Sequence, residues 1–541
     1  MKKLFFLLVL CFIKHAGTSQ SWQDTVMLIE KAFERYKQTN PGAQLAISRN
    51  GNIIFSNAWG MADLEHHVSL TKESVIEAGS VSKQFTAAAM LLLEQQGKLS
   101  MGDDVRKYIP ELRNYGTVIT LRHMMQHTSG IKDWGSIAGI AGWPRTTKTY
   151  SNDDALLIIS RQKTLNNKPG DEYIYSNSNY NLFAIIVERV SGMSLAEFTS
   201  IHIFEPAGMK HTEWRNDFKK IVLNRAIAYS KNGDAYFTDM PNEYVYGNGG
   251  LLTTAEDLVA WNNYYLNGKL GNPSLLPRQL STTPFNNGKL HTYGAGLVID
   301  STRGWRSITH SGATAAYRSY LQHYPDLGLT IAWLSNTSEF DNGPNVTNAI
   351  RDLFVKNMVM MNKKSEIAPI SISNKKLQIY AGWYRNIKTA DGLKLTVRND
   401  SVFVRDGRSL TPIAENVFMM GANRLEIRNT VPRKIIVILP TDTLYYIKAD
   451  TATTSMKSMN EYIGTYWSEE AEATYSILVK DGKLIAHQDP KTDMSLSPMY
   501  KDGFNTSGAV IYFERDKSRR ISSLKVYVGR ARNVVFKKIN H

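Results

Sequence analysis

Apolar and polar positions follow two periods along this chain, and the switch between them marks its parts. Residues 22–39 place Val26, Ile29, Phe33 and Tyr36 on one side at helical spacing, and Asn40-Pro41-Gly42 stops the run. Residues 44–48 and 53–58 read as strands around Asn50-Gly51, a hairpin-turn signal. Residues 84–94 are rich in alanine and leucine with no Gly or Pro before Gly97, which predicts a strong helix. Residues 121–131 give a short helix ending in a Gly turn, and 182–190 an apolar helix closed by Ser191-Gly192. Asn248-Gly249-Gly250 then precedes a capping box, Thr253 to Glu256, with its helix running to about Leu266. Residues 308–335 are β-rich: His310-Ser311-Gly312-Ala313 leads into a strand at 317–324, and Pro325-Asp326-Leu327-Gly328 turns it into another at 329–334. Residues 345–358 read as a helix with Ile350, Leu353 and Phe354 inside. Hairpins thus flank a helical middle, and the economical architecture pools them into one antiparallel sheet with helices on its faces.

A polar linker, 363–374, contains Pro369, and beyond it the period is that of strands. Tyr380-Ala381-Gly382-Trp383-Tyr384 recurs as Tyr462-Ile463-Gly464-Thr465-Tyr466, 82 residues later. Leu410-Thr411-Pro412 recurs as Leu496-Ser497-Pro498, and Phe418 as Phe504, both 86 residues later. The repeat predicts two homologous, barrel-like antiparallel β-domains at 375–450 and 459–541.

Length and composition add compartment and class. At 541 residues, 43% hydrophobic and 21% charged, the chain is a globular protein of several domains. Residues 1–20 read as a secretory signal: Lys2-Lys3, a ten-residue apolar core at 4–13, then small residues at Ala16, Gly17 and Ser19. That core is too short for a transmembrane anchor. The expected protein is therefore exported, periplasmic or secreted, and soluble. Its single cysteine, Cys11, lies inside the signal, so no disulfide, thiol nucleophile or cysteine metal ligand is expected afterwards. The formal charge of +15 falls to about +12 without Lys2, Lys3 and Lys14. It suits either a solubilising surface or an anionic cell-envelope polymer. No long Lys/Arg run and no nucleic-acid motif is present.

The candidate chemistry centres on Ser80 and Lys83. Three apart at a helix start, their side chains share one face, and a hydroxyl beside a sufficiently neutral amine becomes a nucleophile. The same spacing recurs at Ser69–Lys72, Ser129–Lys132, Ser160–Lys163, Ser373–Lys376 and Ser522–Lys525. Context singles out Ser80, which follows Gly79 and opens an apolar helix. His127, at the end of a buried turn, reads as a structural hydrogen-bonding residue, with catalysis the alternative. Tyr175, Asn177, Asn179 and Asn181 form a polar cluster before a helix, to be read as caps and a core tyrosine or as a site. Neither His-Glu-x-x-His nor Gly-x-Ser-x-Gly occurs, against zinc-peptidase and α/β-hydrolase readings.

Together Ser80-Val-Ser-Lys83, Tyr175-Ser-Asn177 and His310-Ser-Gly312, separated by 95 and 135 residues, resemble the motifs of the β-lactamase-related serine hydrolases. That family includes class C β-lactamases, D-alanyl-D-alanine carboxypeptidases, D-aminopeptidases and esterases. The resemblance covers 22–362 and implies an α/β (α+β) domain with a central antiparallel sheet and a helical subdomain. The two β-domains resemble the lipocalin-like modules of D-aminopeptidase-type relatives. The resemblance implies Ser80 as the acylated nucleophile, with Lys83 and Tyr175 sharing proton transfer. Asn177 would hold a substrate amide and position Lys83. His310, Ser311 and Gly312 would line the substrate edge, and the N–H groups of Ser80 and Ala313 would form an oxyanion hole. No metal or cofactor is implied. Many penicillin-recognising enzymes carry lysine where His310 stands, and a neutral histidine anchors a carboxylate less well. The expected activity is hydrolysis of small amides, D-amino-acid peptides or esters, with β-lactam hydrolysis weak or absent. A carboxylesterase of the same fold and a non-catalytic receptor for cell-wall fragments are the alternatives. The resemblance to D-aminopeptidase-type enzymes implies that one of the β-domains borders the cleft and limits which substrates enter; modules for stability or cell-envelope binding are the alternative.

Overall fold

The computed structural model describes residues 21–145, 147–342, 345–358, 368–404, 407–439, 442–453 and 455–539. The expected signal, with Cys11, and residues 363–367 of the expected linker lie outside these residues.

The hairpins at 43–59 and 298–335 pool into one sheet. Its strands are β1 (Ala43–Arg49), β2 (Asn52–Trp59), β3 (Val298–Thr302), β4 (Trp305–Thr314), β5 (Tyr317–Tyr324) and β6 (Leu329–Ser335). They lie in the order β3-β4-β5-β6-β1-β2, antiparallel throughout. Asn50 and Gly51, both at positive φ, close the β1–β2 hairpin as its sequence demands. β1 is buried on both faces. Ile47 and Ile331 pack on Ile29, Phe33 and Ile350 from the Trp22–Phe33 and Val346–Phe354 helices. Ala46, Ala332 and Leu334 face the other core, with the Lys83–Gln95 and Ala255–Tyr265 helices. The helix Lys83–Gln95 is buried almost all round, because the Asn177–Ser191 helix covers the side turned away from the sheet.

Three local readings differ from the sequence pattern. The first helix ends at Phe33 rather than near Thr39. Tyr36 still meets Phe33 and Phe340, at 5.6 and 5.2 Å, but from a turn. The cap of the later helix is Thr254, bonded by Asp257 N–H, one residue on from the expected box. Thr253 is unavailable because it ends a strand and shares a 2.7 Å hydrogen bond with Thr212. His310 to Ala313 lie within β4 instead of leading into β5.

The C-terminal half is all β apart from short helices. Eight strands between 382 and 449 form a closed barrel, and a nine-stranded sheet spans 464–539, open between its first and last members. The repeat is visible atom by atom. Tyr384 donates to Tyr380 O (2.8 Å) and Tyr466 to Tyr462 O (2.7 Å). Lys448 sits over the Tyr384 ring and Lys538 over Tyr466. Gly382 and Gly464, both at positive φ, leave room for those lysines: a Cβ would come within 2.6 and 2.5 Å of their ends. No helix of the described residues is long and apolar enough to cross a membrane.

Candidate active site

Gly79–Ser82 is a single 3₁₀ turn that runs straight into the Lys83–Gln95 helix. Ser80 is therefore held at a helix start, and Lys83 is fully buried. Its Nζ lies 3.1 Å from Ser80 Oγ, 2.9 Å from Asn177 Oδ1 and 2.5 Å from Asn248 O. Two of these partners are carbonyls, which only accept. They fix two N–H bonds of the amine. The third contact, to a hydroxyl, is open to either direction: a neutral amine receives the Ser80 O–H on its lone pair. Burial, then the positive charge of Arg530 and, less, of Arg145, push Lys83 well below its ordinary pKa, against a smaller opposing effect of Asp133. The geometry thus suits an amine that takes a proton from Ser80.

Tyr175 lies beside them, its ring centroid 4.9 Å from Lys83 Nζ. Its hydroxyl is buried beside Ser80 without a hydrogen bond of normal geometry, and burial pushes its pKa up, against a smaller lowering by Ser80, so the phenol keeps its proton. The loop that carries it is fixed by His127, whose Nδ1 accepts the Ser176 N–H (3.1 Å). His127 is fully buried, and burial pushes its pKa well down, which fits the structural reading. Asn177 begins the Asn177–Ser191 helix, and its N–H donates to Asp133 Oδ2 (2.7 Å). Asn179 and Asn181 go to structure: Ser129 donates to Asn179, and Trp134 Nε1 to Asn181. Asn181 in turn donates to Asn248 Oδ1 (2.8 Å), setting the residue whose carbonyl holds Lys83.

The opposite wall is the outer edge of β4. β3 pairs with it only as far as Thr309, so residues 310–314 bond β5 on one side and face the cleft on the other. Gly79 (φ +48) and Gly312 let the Ser80 turn press against this edge. A Cβ on Gly79 would stand 2.7 Å from Ala313 N, and one on Gly312 2.1 Å from Ala78 O and 2.9 Å from Ser80 N. The amides of Ser80 and Ala313 are thereby brought onto facing segments. His310 is buried and occupied. Its Nδ1–H donates to Ser311 O (2.6 Å), so Nε2 accepts from Tyr293 Oη (2.9 Å). Burial and the nearby Lys83 take its pKa down to about 4, leaving it neutral.

Beneath the site runs a buried ion network. Arg215 bonds Glu77 (2.8 Å) and Glu243, which also pairs with Arg145, while Gly250 N–H donates to Glu77. It ties the strand before Ser80 to the Gly turn beyond Asn248. The cleft, about 820 Å³, is lined by Ser80, Tyr175, Asn177, His310 and, from the last barrel, Arg530. Among the described residues, side chains spaced to hold a cation gather at Asp63, Glu65 and His66, which lie outside this lining.

The eight residues singled out from sequence therefore converge on one cleft. Asn248, Asp133, Arg145, Tyr293 and Arg530 were not foreseen. An asparagine before Gly-Gly and the N-cap run Asp133-Trp134-Gly135-Ser136 were readable signals for two of them. Nothing local marks Arg530. The other buried Ser-x-x-Lys pair is divided between separate partners, Ser129 with Asn179 and Lys132 with Glu470.

The family described as Beta-lactamase matches residues 29–354. A D-aminopeptidase of Brucella melitensis is 26% identical over 94% of this chain and 97% of that protein. Penicillin-binding protein 4* of Bacillus subtilis is 28% identical over 54% of this chain and 67% of its own length. The solved D-amino acid amidase of Ochrobactrum anthropi superposes with a TM-score of 0.52 at 19% identity, over 61% of this chain and 97% of that one, a likeness of fold. The family match spans more than half of the sequence, and a chain built on this sheet, helix and cleft belongs to the beta-lactamase family as a serine hydrolase of that fold.

Proposed function

We propose that the protein is an exported hydrolase that cleaves small amides, D-amino-acid peptides or esters through an acyl-enzyme on Ser80. The observation that carries this reading is the fully buried Lys83 amine, held by two carbonyls with its third contact on Ser80. The neutral amine takes the Ser80 proton as Oγ attacks the substrate carbonyl. The oxyanion that forms sits against the N–H groups of Ser80 and Ala313. Tyr175, protonated because burial disfavours its anion, gives a proton to the leaving amine or alcohol and recovers one from Lys83. Water then attacks the acyl carbon, its proton passes to the same relay, and Ser80 leaves as the free hydroxyl. Asn177 holds Lys83 and presents its amide to substrate. Domains at 22–362, 375–450 and 459–541 complete the reading. The 26% identical D-aminopeptidase, matched over nearly its whole length, supports D-amino-acid amide chemistry over β-lactam turnover, and so does a His310 that carries no charge.

A fluorophosphonate probe should label Ser80 alone, and Ser80→Ala should cost on the order of 10⁶ in turnover. Purified protein would be assayed on D-amino-acid p-nitroanilides, p-nitrophenyl esters and nitrocefin, with activity on the first two and little on the third. Full activity in Ser80→Ala would end this reading. Activity confined to the esters would leave the carboxylesterase, and no labelling at all the receptor.

A further inference from the structure

We infer that the substrate carries a carboxylate, and that Arg530, in the turn of the last hairpin (Ile521–Val528 and Ala531–Ile539), is the residue that binds it; the inference rests on the reading of Ser80 above. The turn itself is cemented to the catalytic domain. Arg530 O accepts from Asp133 N (3.1 Å) and Asn166 Nδ2 (3.0 Å). The next hydrogen bonds along the strand are Arg532 N to Asn166 Oδ1 (2.7 Å) and Arg532 Nη1 to Glu172 Oε2 (2.9 Å). The side chain is left over from this fixing. It lines the cleft with Ser80, its guanidinium carbon 4.7 Å from the Tyr175 ring centroid. Among the described residues no carboxylate lies within ion-pair distance of it.

Two other arginines of the cleft are paired with carboxylates, Arg145 with Glu243 and Arg318 with Asp341 (2.6 Å), and Arg35 lies over Phe340 and Tyr36 rather than over Tyr175. Lys83 is held by its three partners, and His310 by Ser311 and Tyr293. The near carboxylate, Asp133, accepts from Asn177 N (2.7 Å) and Ser136 N (2.9 Å), so it is spent on the scaffold rather than offered to an ammonium group. What remains for substrate is a preorganised guanidinium of uncompensated charge beside the nucleophile, and its planar fork suits a carboxylate.

The carboxylate can stand on either side of the scissile bond, and the test separates the two. Full-length wild type, Arg530→Gln and Arg530→Lys would be compared on two matched pairs: D-Ala-D-Ala against its C-terminal amide, and N-succinyl- against N-acetyl-D-Ala p-nitroanilide. The readout is the ratio of kcat/KM within a pair, which cancels any common change in Ser80 reactivity. Wild type should favour the charged member of one pair by about tenfold to a hundredfold, the scale of a charged hydrogen bond. Arg530→Gln should bring that ratio close to one, and Arg530→Lys should keep part of it. A second arm measures binding without turnover, by calorimetry of the charged and neutral members of both pairs on Ser80→Ala protein with and without Arg530→Gln. The charged member of the pair that wild type prefers should bind at least tenfold tighter only where Arg530 is present. Equal treatment of charged and neutral members in both pairs by wild type, or an unchanged ratio in Arg530→Gln, overturns the inference. Failure of Ser80 itself shows separately, as absent fluorophosphonate labelling.

Discussion

At the scale of single residues, the proposed chemistry rests on what disfavours the charged form of Lys83. Burial is the largest cause, and Arg530 the next, acting across a domain boundary. A cation beside an amine disfavours the ammonium form, so removing it raises the amine's pKa. On a neutral substrate, kcat/KM falls as pH drops through the pKa of the free enzyme's essential base. Arg530→Gln should therefore move that acid limb to higher pH, while Arg530→Lys leaves it nearly in place. Asp133 acts oppositely, so Asp133→Asn should move the limb down. A pH profile of p-nitrophenyl ester hydrolysis for the three variants reads these signs directly. An acid limb that does not move in Arg530→Gln would detach Arg530 from Lys83. Lys83→Arg should lose fluorophosphonate labelling altogether, since a guanidinium stays protonated; labelling at the wild-type rate would show that Lys83 is not the base.

At the scale of elements, the cleft exists because a helix start meets a free strand edge. Gly312 makes that meeting possible: a Cβ there would stand 2.1 Å from Ala78 O and 2.3 Å from Ser319 Oγ. Ser319 itself donates to Ala78 O at 2.7 Å, so the crowding has no soft direction. Gly312→Ala should push β4 off the Ser80 turn, cost about 1–3 kcal/mol as overpacking does, and slow labelling of Ser80 by more than tenfold. Circular dichroism and melting check that the fold persists; undiminished labelling would mean that the edge can shift freely. The same elements explain what was legible in the sequence. Ser80 with Lys83, and Tyr175 with Asn177, are close in sequence, so spacing alone sets much of their geometry. The hairpins showed themselves through Asn50-Gly51 and Pro325-Asp326-Leu327-Gly328. Asn248 and Asp133 act through partners in remote segments, and no local pattern states which segment will arrive. The cap shift from Thr253 to Thr254 has the same origin, since a strand pairing took the expected residue. The early end of the first helix does too, because Tyr36 finds Phe340 only in the folded chain.

At the scale of the whole molecule, the second barrel is built into the catalytic domain. Ile137 and Ile140 of the Trp134–Ile140 helix belong to its apolar core. Lys132 pairs with Glu470 at 2.8 Å with both side chains buried, and Glu470 also accepts the Lys163 N–H. Glu172, three residues before Tyr175, is bonded by Lys388 of the first barrel and Arg532 of the second. Because all three motifs precede the β-domains, a chain cut before them keeps its acylation chemistry if those domains are independent modules, and loses its fold if the interface is large and apolar. The packing argues for the other outcome. Cutting near residue 453 would uncover Ile137 and Ile140, strand the Lys132 charge in a low-dielectric site and remove Arg530 from the cleft. The truncated protein should lose cooperative melting and fluorophosphonate labelling together. Point variants separate the ionic part from the apolar part. Glu470→Ala leaves a buried lysine unpaired and should destabilise by about 3–5 kcal/mol, whereas Lys132→Met with Glu470→Leu should recover most of that loss, because a packed apolar pair needs no desolvation of charge. Melting curves and labelling rates of the three proteins decide the matter. A truncation that melts as sharply and labels as fast as the full chain would return the second barrel to the status of an independent module, and the double variant would then have no stability to restore.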